Sequence, residues 1–196
     1  MVSISLCMIV KNEEDVLARA LDSVKELADE MIIVDTGSED RTKDIARRYT
    51  QKVFDFEWED DFAAARNFAC RKASMDYWMW LDADDILDEN NLKKLKLLKA
   101  SLDKKNDVVM MDYAAGFDTD GNVTFSYYRE RILKTSGNFR WSGRVHEAIT
   151  PAGNIFYSDI EIRHQKCGPG DLNRNLRIYE KMLTENEKLE PRHQLY

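Results

Sequence analysis

Apolar and polar positions fall into two regimes along this chain. In the first half, short unbroken apolar runs alternate with stretches whose apolar residues recur at helical spacing. Ile4–Val10 is such a run, the pattern of a buried strand. Residues 14–27 follow, with Val16, Leu17, Ala20, Leu21 and Val24 on one helical face. Residues 31–34 predict a second buried strand that ends at Asp35. Thr36, Gly37 and Ser38 read as a turn, with Ser38 or Asp40 placed to cap a helix through Tyr49. Residues 52–56 predict a third strand, and 61–73 a helix with Phe62, Ala65, Phe68 and Ala69 on one face. Residues 77–81 predict a fourth strand, stopped by Asp82, Ala83, Asp84 and Asp85. Leu92, Leu95, Leu98 and Leu102 stripe another helix. Strands joined by helices imply crossover connections, so the pattern predicts an α/β fold with a mostly parallel sheet flanked by helices.

The second half reads differently. Residues 108–113 are strand-like, Asp118 to Asn122 carry a hairpin turn signal around Gly121, and 123–133 form the returning strand. A Gly-rich, aromatic stretch covers 137–147. Residues 155–164 alternate weakly, and Asp171 or Asn173 opens a C-terminal helix through Leu189. No repeat or linker divides the chain. The expectation is one domain over 1–190: a first half to 88, a second over 89–170 that adds antiparallel strands, and the helix of 171–190.

Composition narrows the function classes. The 196 residues are 43% hydrophobic and 33% charged, which is ordinary for a globular chain. Lys and Arg number 29 against 36 Asp and Glu, a net charge of −7. Nucleic acid is thereby disfavoured as a partner, because phosphate contacts need concentrated positive charge. Cys7, Cys70 and Cys167 are far apart in sequence and form no CxxC pair, so a zinc ribbon or redox motif is unsupported. Cys7 and Cys70 read as reduced core thiols, which suits a cytoplasmic protein. No apolar stretch approaches the roughly 18 residues of a membrane span, and no signal peptide precedes the first strand.

Candidate chemistry gathers at three predicted strand ends: Lys11 to Glu14, Asp35, and Asp82 to Asp85. In open α/β sheets ligands bind beyond the carboxyl ends of the strands. Three carboxylates at the end of an apolar strand repel one another, and a hard divalent cation offsets that cost. Asp82 and Asp84 share a side if the segment is extended; the competing role is a helix cap. A calcium EF-hand fails, because Ile86 and Leu87 stand where an acid and a glycine are needed. Neither a P-loop nor a GxGxxG fingerprint is present.

Ser5 to Glu14, Ile33 to Thr42, Ala65-Arg66-Asn67 and Trp80 to Asp85 together resemble the family 2 glycosyltransferases of the GT-A fold, in order and spacing over residues 3–88. Arg144 to Glu147, Ile162 to His164 and Arg174 to Leu176 match more weakly. They resemble a bacterial branch that includes lipopolysaccharide-core glucosyltransferases and peptide S-glycosyltransferases. In some members tetratricopeptide helices follow the domain. The chain ends before any, so it is read as truncated or as a short member.

The resemblance implies a mixed, mostly parallel GT-A-like sheet and a role for each matching position. Asp35 would hold the base or ribose, alternatively capping a helix. The main chain of Ile9, Val10 and Lys11 would line the same pocket, Lys11 alternatively being solvated. Arg66 would reach the base or diphosphate, alternatively pairing on the helix surface. Asp82 would face the ribose and the metal shell, and Asp84 would ligate Mg²⁺ or Mn²⁺. A base must take the acceptor's proton. Glu147 is the first candidate, unless it pairs with Arg144; Asp85 is the second and Asp171 a distant third. His164 is an additional metal or diphosphate ligand, or a buried hydrogen-bonded histidine. Trp141 is placed to stack on a sugar. The implied activity is metal-dependent, inverting transfer from a nucleotide-diphospho-sugar, UDP-hexose being expected, to a saccharide, lipid-linked or peptide acceptor. Lysines opposite the leucine stripe of 91–105 suggest contact with an anionic membrane, against the plainer role of a solvated face. The rivals are a nucleotidyltransferase and an inactive sugar-nucleotide-binding domain.

Overall fold

The computed structural model describes residues 1–165, 171, 173–187 and 189; Cys167 lies outside them. All of β1 (Ile4–Val10) except Ile9 is buried. A strand apolar on both faces needs cover on both, and the following segments provide it. α1 (Leu17–Val24) sets Leu17, Ala20, Leu21 and Val24 against one face. β2 (Glu30–Asp35) lies parallel to β1 and is buried throughout. α2 (Thr42–Ala46) leads to β3 (Val53–Asp55), parallel to β2. α3 (Phe62–Cys70), capped by the Asp61 carboxylate on the Ala64 N–H at 2.8 Å, covers the opposite face. β4 (Tyr77–Trp80) returns parallel to β1 on its other side.

The chain then turns into β5 (Asp85–Ile86) and α4 (Glu89–Ser101). β6 (Val108–Phe117) and β7 (Val123–Lys134) form the expected hairpin, closed at Gly121 with φ +82°. β7 runs antiparallel to β4 and so carries the sheet into the second half. β8 (Trp141–Ser142) and β9 (Ala148–Ile149) make a small separate hairpin. β10 (Ile155–His164) joins parallel to β6, and β5 pairs antiparallel with it at the edge. The order in the eight-stranded sheet is β3-β2-β1-β4-β7-β6-β10-β5. α5 (Arg174–Thr184) closes the described chain.

Three expectations need correction. α1 and α2 are shorter than expected: they begin at Leu17 and Thr42, after loops held by side-chain bonds, and end at Val24 and Ala46. The weakly alternating 155–164 segment pairs in parallel with β6 and brings a further crossover into the sheet. The Asp82–Asp85 segment is not extended: the Asp85 N–H donates to the Asp82 carbonyl at 3.1 Å, a turn that separates the two aspartates after the strand. Three of the α4 lysines form bonds. Lys94 pairs with Asp159, Lys96 with Glu26, and the buried Lys99 with Asp29 at 2.6 Å while donating to the Leu27 carbonyl.

At the sheet end remote from the strand carboxyl termini, one carboxylate gathers four segments. Glu30 accepts from Ser5 Oγ at 2.5 Å, from the Ser74 N–H at 2.9 Å and hydroxyl at 2.8 Å, and from Lys52. Burial opposes ionisation there, but the bonds from Lys52, Ser5 and Ser74 outweigh it and pull Glu30 down to about 2. The folded value is depressed, so this stabilisation is complete above the unfolded value of 4.5 and is lost as pH falls towards about 2. Glu30→Gln is therefore expected to cost on the order of 2 kcal/mol at pH 7. Urea unfolding of both proteins should show that difference shrinking between pH 4.5 and pH 3. A difference independent of pH would show that the ionised form contributes nothing.

Candidate active site

A cleft of about 640 Å³ opens at the carboxyl ends of the parallel strands. Its floor on the first-half side is the β1 end, Ile9 to Glu13, with Thr36 from the turn after β2. These two loops hold each other. The Asn12 N–H donates to Ser38 Oγ at 2.9 Å, Glu13 N–H to Thr42 Oγ1 at 2.7 Å, and Glu14 N–H to Asp40 Oδ2 at 3.1 Å. The Glu39 N–H returns a bond to Asn12 Oδ1 at 2.8 Å. Asn12 takes φ +54°, the left-handed region that asparagine tolerates. Thus Ser38, Asp40 and Thr42 serve mainly to shape the loop after β1. Asp35 is buried. Its Oδ1 accepts from the Gly37 and Ser38 N–H groups at 3.0 and 2.8 Å, while Oδ2 has no hydrogen-bond partner among the described residues.

The turn after β4 sends its three aspartates in different directions. Asp82 Oδ1 meets Arg66 Nη2 at 2.7 Å. Asp84 Oδ1 lies 3.3 Å from His164 Nδ1. Asp85 is fully buried, and Oδ2 accepts from Arg131 Nη1 at 2.9 Å and from the Asp82 N–H at 3.1 Å. Its Oδ1 accepts from the Tyr113 hydroxyl at 3.1 Å and lies 3.3 Å from His164 Nδ1. Arg131 sits where the β6–β7 register slips, and the bulge aims it at Asp85. Its guanidinium stacks over Trp80 at 3.7 Å and Tyr113 at 4.5 Å. Two expectations change here. Asp85 does not line the cleft, so it is not placed as an acceptor base. The residues whose ligand atoms cluster within 4.8 Å are Asp84, Asp85 and His164, without Asp82, because Arg66 holds Asp82 away.

Electrostatics mark the cluster as short of positive charge. Bonds to Asp84 and Asp85, opposed by burial, push His164 up to about 10. Glu13 is pushed up to about 7 by burial and by the charges of Asp84, Asp82 and Asp40. A proton on His164 supplies one positive charge among these acids. The carboxylate and imidazole donors also suit a divalent cation, which supplies two.

The opposite wall comes from the second half. Between β8 and β9 the chain passes Gly143 at φ +95° and His146 at φ +51°, which brings Glu147 into the cleft. A non-glycine residue held at such an angle stores strain. Glu147 Oε1 accepts from Arg66 Nε at 2.6 Å. The pairing with Arg144 is not the one observed: Arg144 pairs with Glu185 at 2.6 Å and with Glu187. Trp141 is only 3% exposed and packs edge-on against Trp80 at 4.8 Å, so it is not placed to stack on a sugar. α5 closes the rim: Ile178 and Met182 pack on Val145, and Arg174 lies over Phe62 at 4.6 Å. Asp171, the third base candidate, lines the rim but pairs with Arg177.

The cleft thus brings together Ile9, Val10, Lys11, Arg66, Asp82, Asp84, Glu147 and His164, while Asp35 and Asp85 are buried behind it. Sequence reasoning assigned no role to Glu13, Arg174 or Asn175, which also line it. Their signal was present, since the first lies in the polar loop after β1 and the others in the weak C-terminal match.

Residues 5–160 match the family model described as glycosyl transferase family 2. The chain belongs to this family. This family 2 chain is 49% identical over 149 residues to a TPR repeat-containing protein of Synechococcus elongatus, covering 76% of the chain and 36% of the relative. It is 30% identical to the lipopolysaccharide core biosynthesis glycosyltransferase LpsC of Rhizobium meliloti, over 78% of the chain and 58% of the relative. With the prophage-derived glycosyltransferase SunS of Bacillus subtilis it shares 27% identity over 96% of the chain and 46% of the relative. The chain therefore spans only part of these relatives' length. Its fold is that of S. aureus TarS in complex with UDP-GlcNAc, at TM-score 0.63 and 17% identity over 97% of this chain and 69% of that one. It is also that of glucosyl-3-phosphoglycerate synthase from Mycobacterium tuberculosis in complex with Mn²⁺ and UDP-glucose, at TM-score 0.61 and 15% identity over 93% and 77%. The GT-A-like sheet expected from the sequence is the one observed. No described helix is long and apolar enough to cross a membrane.

The two carboxylates should respond differently to mutation. Asp85→Ala leaves Arg131 buried without its counter-charge and is expected to cost about 3–5 kcal/mol of unfolding free energy. Glu147→Gln keeps a hydrogen-bond acceptor for Arg66 and is expected to stay within about 1 kcal/mol of the unaltered protein. Chemical denaturation distinguishes them; equal, small effects would remove Asp85 from its structural position.

Proposed function

We propose that this domain is a metal-dependent, inverting glycosyltransferase that moves a hexose from a UDP-sugar to a hydroxyl or thiol acceptor. The observation that carries this is one cleft with Asp84 and His164 beside the β1 end and Glu147 on the facing wall. The complexes of TarS with UDP-GlcNAc and of the synthase with Mn²⁺ and UDP-glucose support the donor class. The main chain of Ile9, Val10 and Lys11 lines the nucleotide end. Asp35 Oδ2, buried without a hydrogen-bond partner among the described residues, would be an acceptor for a base or ribose donor group. Asp82 stands between this end and the cluster.

Asp84 and His164 would hold Mg²⁺ or Mn²⁺, and the buried Asp85, 3.3 Å from the same His164 nitrogen as Asp84, would help to fix the imidazole. The bound ion supplies Lewis-acid charge opposite the departing diphosphate. In the transfer, the acceptor oxygen or sulfur bonds to the anomeric carbon. The bond from that carbon to the β-phosphate oxygen breaks, and its electron pair leaves with UDP. The acceptor's proton passes to the Glu147 carboxylate. Attack opposite the leaving group inverts the anomeric centre. The free thiols Cys7 and Cys70 support a cytoplasmic setting.

Calorimetry of UDP with Mn²⁺, and again with EDTA, tests the donor site. Binding should weaken at least about tenfold without the ion, since Asp82, Asp84 and the diphosphate then repel. Equal affinity would overturn the metal assignment. Glu147→Gln should lower UDP release from UDP-glucose by about 10²–10⁴-fold and leave UDP affinity nearly unchanged. Near-normal release would remove Glu147 as the base.

A further inference from the structure

Arg66 is the cation that sequence reasoning gives to the nucleotide, yet its guanidinium is engaged by two carboxylates of the protein itself. Nη2 donates to Asp82 Oδ1 at 2.7 Å and Nε to Glu147 Oε1 at 2.6 Å. The side chain is 11% exposed. It is flanked by Trp80 and Trp141, whose ring centres lie 5.1 and 4.9 Å from Cζ. The fork of a guanidinium is rigid, so two bonds to separate carboxylates fix both in space. The next residue strengthens the arrangement. Asn67 Nδ2 donates to the Trp141 carbonyl at 2.9 Å, and Asn67 Oδ1 accepts from the Trp141 N–H at 3.0 Å. Two consecutive residues of α3 thus grip the β8–β9 hairpin, one by its backbone and the other by its carboxylate.

We propose that Arg66 is a positioning residue for the proton-accepting carboxylate, acting through Glu147 and not through the nucleotide. This rests on the transferase reading above. Arg66 holds Oε1, which leaves Oε2 without a partner among the described residues and available to the acceptor's proton. Its bond to Asp82 ties that placement to the donor side of the cleft. A guanidinium already shared by two carboxylates and stacked between two indoles has little left to offer a diphosphate. Lys11 and Arg174 also line the cleft, and neither forms an ion pair among the described residues.

The test separates binding from turnover. UDP affinity in the presence of Mn²⁺ is measured by calorimetry, and UDP release from UDP-glucose with water as acceptor is followed, for Arg66→Gln, Arg66→Lys, Glu147→Gln and the Arg66→Gln/Glu147→Gln double variant. Arg66→Gln should keep UDP affinity within about threefold and lower release by about 10²-fold. Arg66→Lys, which keeps the charge but not the fork, should recover part of that loss. The double variant should be no slower than Glu147→Gln alone, because residues acting through one group are not additive. A loss of UDP affinity of tenfold or more in Arg66→Gln and Arg66→Lys would make Arg66 a nucleotide ligand and overturn the proposal. Additive loss of release in the double variant would overturn it too. If release is too slow to follow in the unaltered chain, the affinity comparison decides. Failure of the unaltered chain to bind UDP would instead overturn the donor reading beneath it.

Discussion

The site depends on a buried ion pair, Asp85 with Arg131. Both side chains are fully excluded from solvent, so their desolvation must be offset by geometry. The structure supplies part of it, since Arg131 Nε and Nη2 have no hydrogen-bond partner among the described residues. Asp85 also accepts from Tyr113 and from the Asp82 N–H and lies beside His164, while Arg131 lies over Trp80 and Tyr113 and donates to the Trp80 carbonyl. Through this one pair the end of β4, the bulge of β7, the middle of β6 and the end of β10 are joined. The turn that spreads Asp82 and Asp84 apart is closed by the same carboxylate. Without it, the cleft would lose the floor on which its exposed acids stand.

The cleft shows how environment assigns different work to one residue type. Asp82 is held below the usual carboxylate range, burial notwithstanding, because Arg66 and Arg131 are close and His164 adds to their field. Glu13, with like charges facing it, is pushed the other way. Asp85 is buried in its pair with Arg131, Asp84 lies beside the His164 imidazole, and Glu147 is held by a guanidinium from the other half of the chain. Carboxylates whose environments differ this much are suited to different steps of one reaction.

The chain belongs to family 2 and spans only part of the length of its relatives, and its cleft is built from both halves of the sequence. Ile9 to Glu13, Arg66, Asp82 and Asp84 reach the cleft from the first half, and Glu147 and His164 from the second. α3 belongs to the first half by sequence and to both by contact, and α5 seals the rim by packing Ile178 and Met182 on the loop that bears Glu147.

The sequence by itself determined the order of strands and helices in the first half, the parallel sheet, and the strand ends at which polar residues collect. Those features follow from local apolar spacing and from the alternation of strand with helix, both of which are written within a few residues. Through its resemblance to a family it also offered Asp84, His164 and Glu147 as candidates, and the structure brings all three to one cleft. Only the tertiary structure decided what each partner is. The pairing of Arg66 with Glu147 spans 81 residues, and that of Asp85 with Arg131 spans 46. The latter depends on a bulge, which exists only once β6 and β7 are in register. Spacing along the chain cannot encode such choices, because a carboxylate's neighbour is set by which strands lie side by side and not by which residues follow it.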